Sequence, residues 1–327
     1  MQVVTPNLIS GKKVLLRYDI DVALRSAQGK LVVGEEFKLK AGIPTLNFCL
    51  QHAQTVTIMG HIGRSEGRVV DELKVEPIME WFKTEGYVED LSSGKLTILE
   101  NLRFDPREEA CDPAYAKELA DMGDFYVNEA FSAYRPAVST TILPTLLSHG
   151  AGLRFAEEVR VLRKVRDNPK KPFIAIMGGA KVADKLSVIE AMAKNADAVL
   201  VGGKLIAEAK EKGVDLPSNV MLGKLTEDGF DIAAETVEAW KGLIGKAAMI
   251  VWNGPLGKFE DPKNNSTAKM AHIVAESNAE SIVGGGDTIS ALNQAGILNR
   301  ISFVSVGGGA MLKLLADGTL PTIEVLK

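Results

Sequence analysis

Cysteine and histidine are scarce in this chain of 327 residues, which has only Cys49 and Cys111, and His52, His61, His149 and His272. Neither cysteine sits in a CxxC pair and the histidines show no metal-ligand spacing, which argues against a structural zinc site. So few thiols fit a reducing, cytoplasmic compartment better than a disulfide-stapled secreted protein. No stretch nears the ~20 consecutive apolar residues that cross a bilayer. The first residues lack a basic segment followed by an apolar run, so neither a membrane span nor a signal peptide is expected. Positive charge is not in excess either. The net charge is −4, which excludes nucleic-acid binding by the molecule as a whole and leaves only a local basic patch open. Three nucleotide signatures are missing: the GxxxxGK[ST] phosphate loop, a GxGxxG after a strand, and the HRD…DFG set.

Hydrophobic residues make up 46% and charged residues 24%, an ordinary balance for a folded globular protein. At ~100–200 residues per domain, the length predicts two domains. Short apolar runs at 13–18, 55–59, 96–99, 124–127, 172–177, 198–201, 219–222, 247–251, 281–283 and 302–306 predict strands. Several are continuously apolar, as strands covered on both faces are. Helical patterns at 44–53, 113–122, 185–195, 231–243, 267–277 and 290–295 alternate with them. Such alternation predicts an α/β architecture with mainly parallel sheets. The charged helix 155–166, which stops before Asn168-Pro169, is expected to join the two domains; the alternative is an ordinary surface helix inside one large domain.

Ligands of open α/β sheets gather at the carboxyl ends of strands. In the second half those ends are glycine-rich: Gly178-Gly179-Ala180-Lys181, Gly202-Gly203-Lys204, Trp252-Asn253-Gly254-Pro255, Gly284-Gly285-Gly286-Asp287-Thr288 and Gly307-Gly308-Gly309. Glycine lets backbone amides approach a ligand, and amides at a helix start favour phosphate. Five such ends in succession predict a nucleotide or polyphosphate site. In the first half the ends carry Arg17, Asp19 and Asp21, then His61 and Arg64, then Arg103, then Tyr134 and Arg135. Arginine suits bidentate binding of carboxylate or phosphate, so a cationic pocket for a small acidic metabolite is expected there.

Taken together, the LLRYD string at 15–19, GHIGR at 60–64, LENLRF at 99–104, GGAKV at 178–182 with Asp184-Lys185, VWNGPLG at 251–257 with Phe259-Glu260, GGGDT at 284–288 and GGGA at 307–310 resemble the phosphoglycerate kinase family, in family order over nearly the whole chain. The resemblance implies two Rossmann-like three-layer α/β/α lobes joined by an interdomain helix and hinge. It places a phosphoglycerate lobe at 1–154, the joining helix at 155–168, a nucleotide lobe at 169–312 and a C-terminal segment, 313–327, packing back on the first lobe. The implied partners are 3-phosphoglycerate or 1,3-bisphosphoglycerate and ATP or ADP, with Mg²⁺ carried on the nucleotide, in a cytoplasmic monomer.

Position by position, the resemblance implies a substrate patch of Asp19, Asp21, Lys38, His61, Arg64, Arg103 and Arg135. Gly179, Lys181, Lys185, Gly203, Asn253, Pro255, Glu260, Gly286, Asp287 and Thr288 are implied to bind nucleotide. Glu260 would meet the ribose hydroxyls, Asp287 the metal, and Lys38, Lys185, Gly285 and Gly308 would act in the transfer.

The chain departs from the family at several points. Asp19-Ile20-Asp21 carries a carboxylate where the family has an asparagine, which removes a donor and adds negative charge. Lys38 stands for an arginine and loses its planar fork. Tyr134-Arg135-Pro136-Ala137 lacks two histidines, Met311 replaces a serine and Lys204 a glycine or alanine. Segments are also lost between His61 and Leu99 and between Lys204 and Trp252, which predicts a shallower base site and relaxed nucleotide choice. Besides an active kinase, a nucleotide-binding relative with weak activity and a kinase for another acyl phosphate stay open.

Overall fold

The computed structural model describes the whole chain except Gln28, residues 180–184, Lys212, Val214 and the Lys210 side chain. It divides into two compact units. The first is Met1–Val159 with Thr319–Lys327, and the second is Arg160–Gly318.

The first unit is built on strands β1 (Lys13–Arg17), β4 (Thr55–Met59), β5 (Leu96–Ile98), β6 (Phe125–Asn128) and β7 (Ser148–Ala151), with a separate antiparallel hairpin of β2 (Leu24–Ala27) and β3 (Lys30–Val33). The five sheet strands are parallel in the order β5-β4-β1-β6-β7. The second unit has β8 (Phe173–Met177), β9 (Ala198–Val201), β10 (Val220–Leu222), β11 (Met249–Asn253), β12 (Glu280–Gly284) and β13 (Phe303–Ser305), all parallel in the order β10-β9-β8-β11-β12-β13.

Both orders are doubly wound. The chain builds outward from the first strand in one direction, then returns to build in the other. The reversal leaves a crevice at the carboxyl ends of β1 and β6, and another at those of β8 and β11. The central strands β6, β8, β9 and β11 are buried along their whole length, as a parallel sheet covered by helices on both faces requires. Each unit has its own apolar core, around Leu16, Ile58, Phe82 and Val127 in the first and Ile176, Leu200, Trp252 and Leu292 in the second.

Three boundaries differ from the sequence-based expectation. The helix expected to start at Pro44 runs Phe37–His52 with Pro44 inside it. Its buried face of Leu39, Gly42, Leu46, Cys49 and Leu50 holds the helix through a position that lacks a donor. The helix expected from residue 290 begins at Gly286, because Gly285, at φ 102°, caps it directly at the end of β12. The charged helix spans Leu153–Asp167, and the division between the units falls within it.

Candidate active site

In the first unit, the carboxyl ends of β1, β4 and β6 and the loop at 132–137 enclose a cavity of about 470 Å³. Arg17, Asp21, His61, Arg64, Arg103 and Arg135 all line it. Arg17 is buried and fully engaged: Nε donates to Ser139 Oγ (2.9 Å), Nη1 to the Tyr18 carbonyl (2.8 Å) and Nη2 to His61 Nδ1 (2.7 Å). A guanidinium only donates, so His61 Nδ1 accepts and the ring proton lies on Nε2. That nitrogen faces Asp21 Oδ2 at 3.7 Å. Burial, with Arg17 and Arg103 beside it, lowers the His61 pKa against the pull of Asp21, which favours the neutral ring. Burial alone would raise the Asp21 carboxyl, but His61, the Gly63 amide (2.9 Å) and Lys38 outweigh it and hold the group ionised.

Asp19 and Lys38 stand one layer behind the cavity wall. Lys38 Nζ donates to the Asp21 carbonyl (2.9 Å) and sits 3.6 Å from Asp19, whose other oxygen accepts from Ser132. The carboxylate at 21 therefore organises the Gly63 turn, a use of Asp21 that the sequence alone did not suggest. Arg64 and Arg135 are exposed and, among the described residues, make no ion pair.

In the second unit a cavity of about 300 Å³ is lined by Gly179, Gly203, Lys204, Gly229, Phe230, Pro255, Gly257, Lys258, Phe259, Glu260 and Asp287. Its floor is the junction of β8 and β11, where backbone meets backbone. A side chain on Gly254, at φ 95°, would lie 2.1 Å from the Gly178 carbonyl, and one on Gly178 would lie 2.2 Å from that of Pro255. Only glycine permits that approach. Asn253 Nδ2 donates to Gly284, and the Gly254 amide donates to the Thr288 hydroxyl (2.7 Å). Gly308, in the first turn of the helix Gly308–Asp317, packs against Gly285 so closely that a Cβ would come within 2.5 Å.

Asn253, Gly285, Thr288 and Gly308 thus form the frame behind the cavity, while Gly286, the first residue of the helix Gly286–Gln294, is exposed. Lys185 Nζ donates to Gly178 O at 2.5 Å. Burial lowers its pKa to about 8, partly offset by Asp287. Lys181 lies outside the described residues. Among the described residues no group of three or more His, Cys, Asp or Glu could hold a metal ion.

The profile of the phosphoglycerate kinase family matches residues 5–221 and 206–318. The chain belongs to the phosphoglycerate kinase family. The phosphoglycerate kinase of Herpetosiphon aurantiacus is 34% identical over 383 aligned positions, covering 97% of this chain and 96% of that protein. The enzyme of Roseiflexus sp. strain RS-1 is 33% identical with the same coverage. Among solved structures, the phosphoglycerate kinase of Pyrococcus horikoshii OT3 superposes with a TM-score of 0.84 at 25% identity, over 100% of this chain and 98% of that one. That of Coxiella burnetii gives 0.80 at 27% identity, over 97% and 96%. An alignment of 383 positions exceeds the 327 residues here, so the relatives carry segments this family member lacks.

Sequence reasoning missed Ser132, Glu108 and Glu109 in the first cavity, Ser139 behind its wall, and Phe230 and Lys258 in the second. One signal was available for the acidic pair. Asp105 ahead of Pro106 is a helix start shortly after the strand Leu96–Ile98, and it carries Glu108 and Glu109 to the wall beside Arg103.

Proposed function

We propose that this chain is a working phosphoglycerate kinase (EC 2.7.2.3), moving a phosphoryl group reversibly between 1,3-bisphosphoglycerate with ADP and 3-phosphoglycerate with ATP. The observation that carries the reading is the pair of cavities, one arginine-rich and one glycine-floored, each at the switch point of its own doubly wound sheet in a chain of this family. Residues 1–154 serve as the phosphoglycerate lobe, with 313–327 packing back on it. Residues 155–168 serve as the joining helix and 169–312 as the nucleotide lobe.

Arg64, Arg103 and Arg135 bind the phosphate and carboxylate of the acid. His61 donates through Nε2, and Asp19, Asp21 and Lys38 set the loops that carry these groups. Lys181 and Lys185 neutralise the nucleotide phosphates, Glu260 binds the ribose, and Asn253 and Pro255 shape the nucleoside end. The amides around Gly179, Gly203, Gly285, Gly286 and Gly308 and the Thr288 hydroxyl frame the phosphates. The Asp287 carboxylate, a hard oxygen donor, would hold Mg²⁺, which would offset phosphate charge when bound.

In the ATP-consuming direction, a carboxylate oxygen of 3-phosphoglycerate forms a bond to the γ-phosphorus as the bond to the β–γ bridging oxygen breaks, and ADP leaves with that oxygen's electron pair. The attacking carboxylate is already ionised, so no general base is needed. Positioning and charge neutralisation carry the step. We assign hinge closure to the exclusion of water, which would otherwise hydrolyse ATP. Among the described residues no helix is long and apolar enough to cross a membrane, and we assign a cytoplasmic monomer. A coupled assay with 3-phosphoglycerate and MgATP, run beside Lys185→Ala, tests the reading. Turnover no higher than the variant's background rejects it.

A further inference from the structure

Two guanidinium groups of the first cavity, Arg17 and Arg103, are not equally available. Arg17 is spent on three fixed partners. Arg103 has one fixed partner, the Gly63 carbonyl, which Nη1 meets at 2.6 Å. Its second partner is Glu109, whose Oε1 lies 3.1 Å from Nε. The Glu109 side chain is 53% exposed while Arg103 is 19% exposed, and both line the cavity. The neighbouring Glu108 differs. It is buried, and both its oxygens are taken by the Ser139 hydroxyl and amide.

The position of Glu109 does not depend on Arg103. It ends the short helix Pro106–Glu109, whose start is capped by the Asp105 side chain accepting from the Arg107 amide. The backbone therefore presents Glu109 to the cavity whether or not Arg103 answers. A carboxylate held this way is an anion of the protein's own, resting on a guanidinium that points into an anion-binding cavity.

We infer that Glu109 sets the affinity of the substrate site: its carboxylate occupies the place on Arg103 that an anionic group of the substrate must take, so any anion binding there must displace it. A phosphate group, with a charge near −2 and three acceptor oxygens, competes for a guanidinium far better than a single carboxylate does. Every anion that takes that place carries the same displacement cost, so Glu109 tempers the affinity of the pocket, and an anion that competes weakly for a guanidinium stays off Arg103. An exposed pair of this kind is worth roughly two- to five-fold in an equilibrium constant. That is weak enough for substrate to displace and large enough to read in a binding constant.

The inference rests on the reading of this cavity as the phosphoglycerate site. The test is Glu109→Gln, which keeps size and polarity while removing the charge. Steady-state kinetics give KM for 3-phosphoglycerate at saturating MgATP, and calorimetry gives Kd for 3-phosphoglycerate and for D-glycerate. The expected result is a two- to five-fold fall in KM and Kd for 3-phosphoglycerate with kcat within two-fold. D-glycerate, which has no phosphate to set on Arg103, should tighten by no more than this factor, and the gain should shrink at high salt. An unchanged or raised KM overturns the inference, since it would mean that Glu109 steadies Arg103 rather than competes for it. A failure of the functional reading looks different: the unsubstituted protein would bind MgATP yet neither bind nor turn over 3-phosphoglycerate.

Discussion

Lys185 Nζ donates to the carbonyl oxygen of Gly178 at 2.5 Å, on the last turn of chain before the glycine-floored cavity. The contact ties a partly buried ammonium to the junction of β8 and β11, where desolvation lowers its pKa to about 8. A lysine that neutralises phosphate acts only when protonated. kcat/KM for MgATP should therefore fall as pH rises through about 8, a limb that reports the free enzyme. Lys185→Arg should move that limb out of the accessible range, and Lys185→Ala should cost about 100-fold or more in kcat. A flat pH profile between 7 and 9 in the parent would contradict the role given to this lysine.

Glu129 makes a different pH prediction. Its carboxylate is buried at the start of the helix Leu153–Asp167, accepting from Thr45 Oγ1 (2.6 Å) and from the Arg154 and Phe155 amides (3.2 and 3.1 Å). Burial raises its pKa to about 8 against the pull of those donors. The folded-state value lies above the unfolded value of 4.5, so the folded protein holds the extra proton between them. The associated stability is full below pH 4.5 and lost as pH rises through about 8. Thermal melting across pH 5–8 should show a downward slope that Glu129→Gln flattens. Equal slopes in the two proteins would count against a neutral Glu129.

Ser139 links two buried charges. Its hydroxyl accepts from Arg17 Nε at 2.9 Å and donates to Glu108 Oε1 at 2.5 Å. Ser139→Ala leaves a guanidinium nitrogen and a carboxylate oxygen each short of a partner away from water. The expected cost is about 1–3 kcal/mol, read from urea denaturation midpoints. Arg17 should also loosen its hold on His61, raising KM for 3-phosphoglycerate. A variant as stable as the parent would mean that water replaces the hydroxyl.

Much of this could be read from the chain, for definite physical reasons. β8 and the 249–252 stretch of β11 are unbroken apolar runs because both of their faces are covered, and glycine follows the two strands because backbone packs on backbone at Gly178 and Gly254. β7 could not be read that way. Ser148–Ala151 has polar and glycine residues and becomes a strand only through pairing with β6. The β2–β3 hairpin is half exposed and lacks a clean alternation. In the site, Arg64, Arg103 and Arg135 stand at strand ends and invite attention. Ser139 and Phe230 sit in segments without periodicity; Ser139 meets Arg17 and Glu108 behind the first cavity, and Phe230 the wall of the second, through tertiary packing alone.

The second cavity predicts weak discrimination between purines. The relatives carry segments this chain lacks, and Phe230, half exposed after Gly229, stands in the wall with Lys258 Nζ 5.6 Å over its ring. The lining side chains able to hydrogen-bond are Lys204, Lys258, Glu260 and Asp287. With Glu260 assigned to the ribose and Asp287 to the metal, two exposed lysines are left for a base edge. Stacking on an aromatic or apolar wall distinguishes bases poorly, whereas strong rejection needs buried groups that the wrong ligand leaves unpaired. MgATP and MgGTP should therefore differ by less than about ten-fold in kcat/KM. Phe230→Ala should raise KM for both in parallel, by about five-fold, as the loss of one stacking face of roughly 1 kcal/mol requires. A strong preference for ATP in the parent would show that backbone groups read the base edge, and it would sink the prediction.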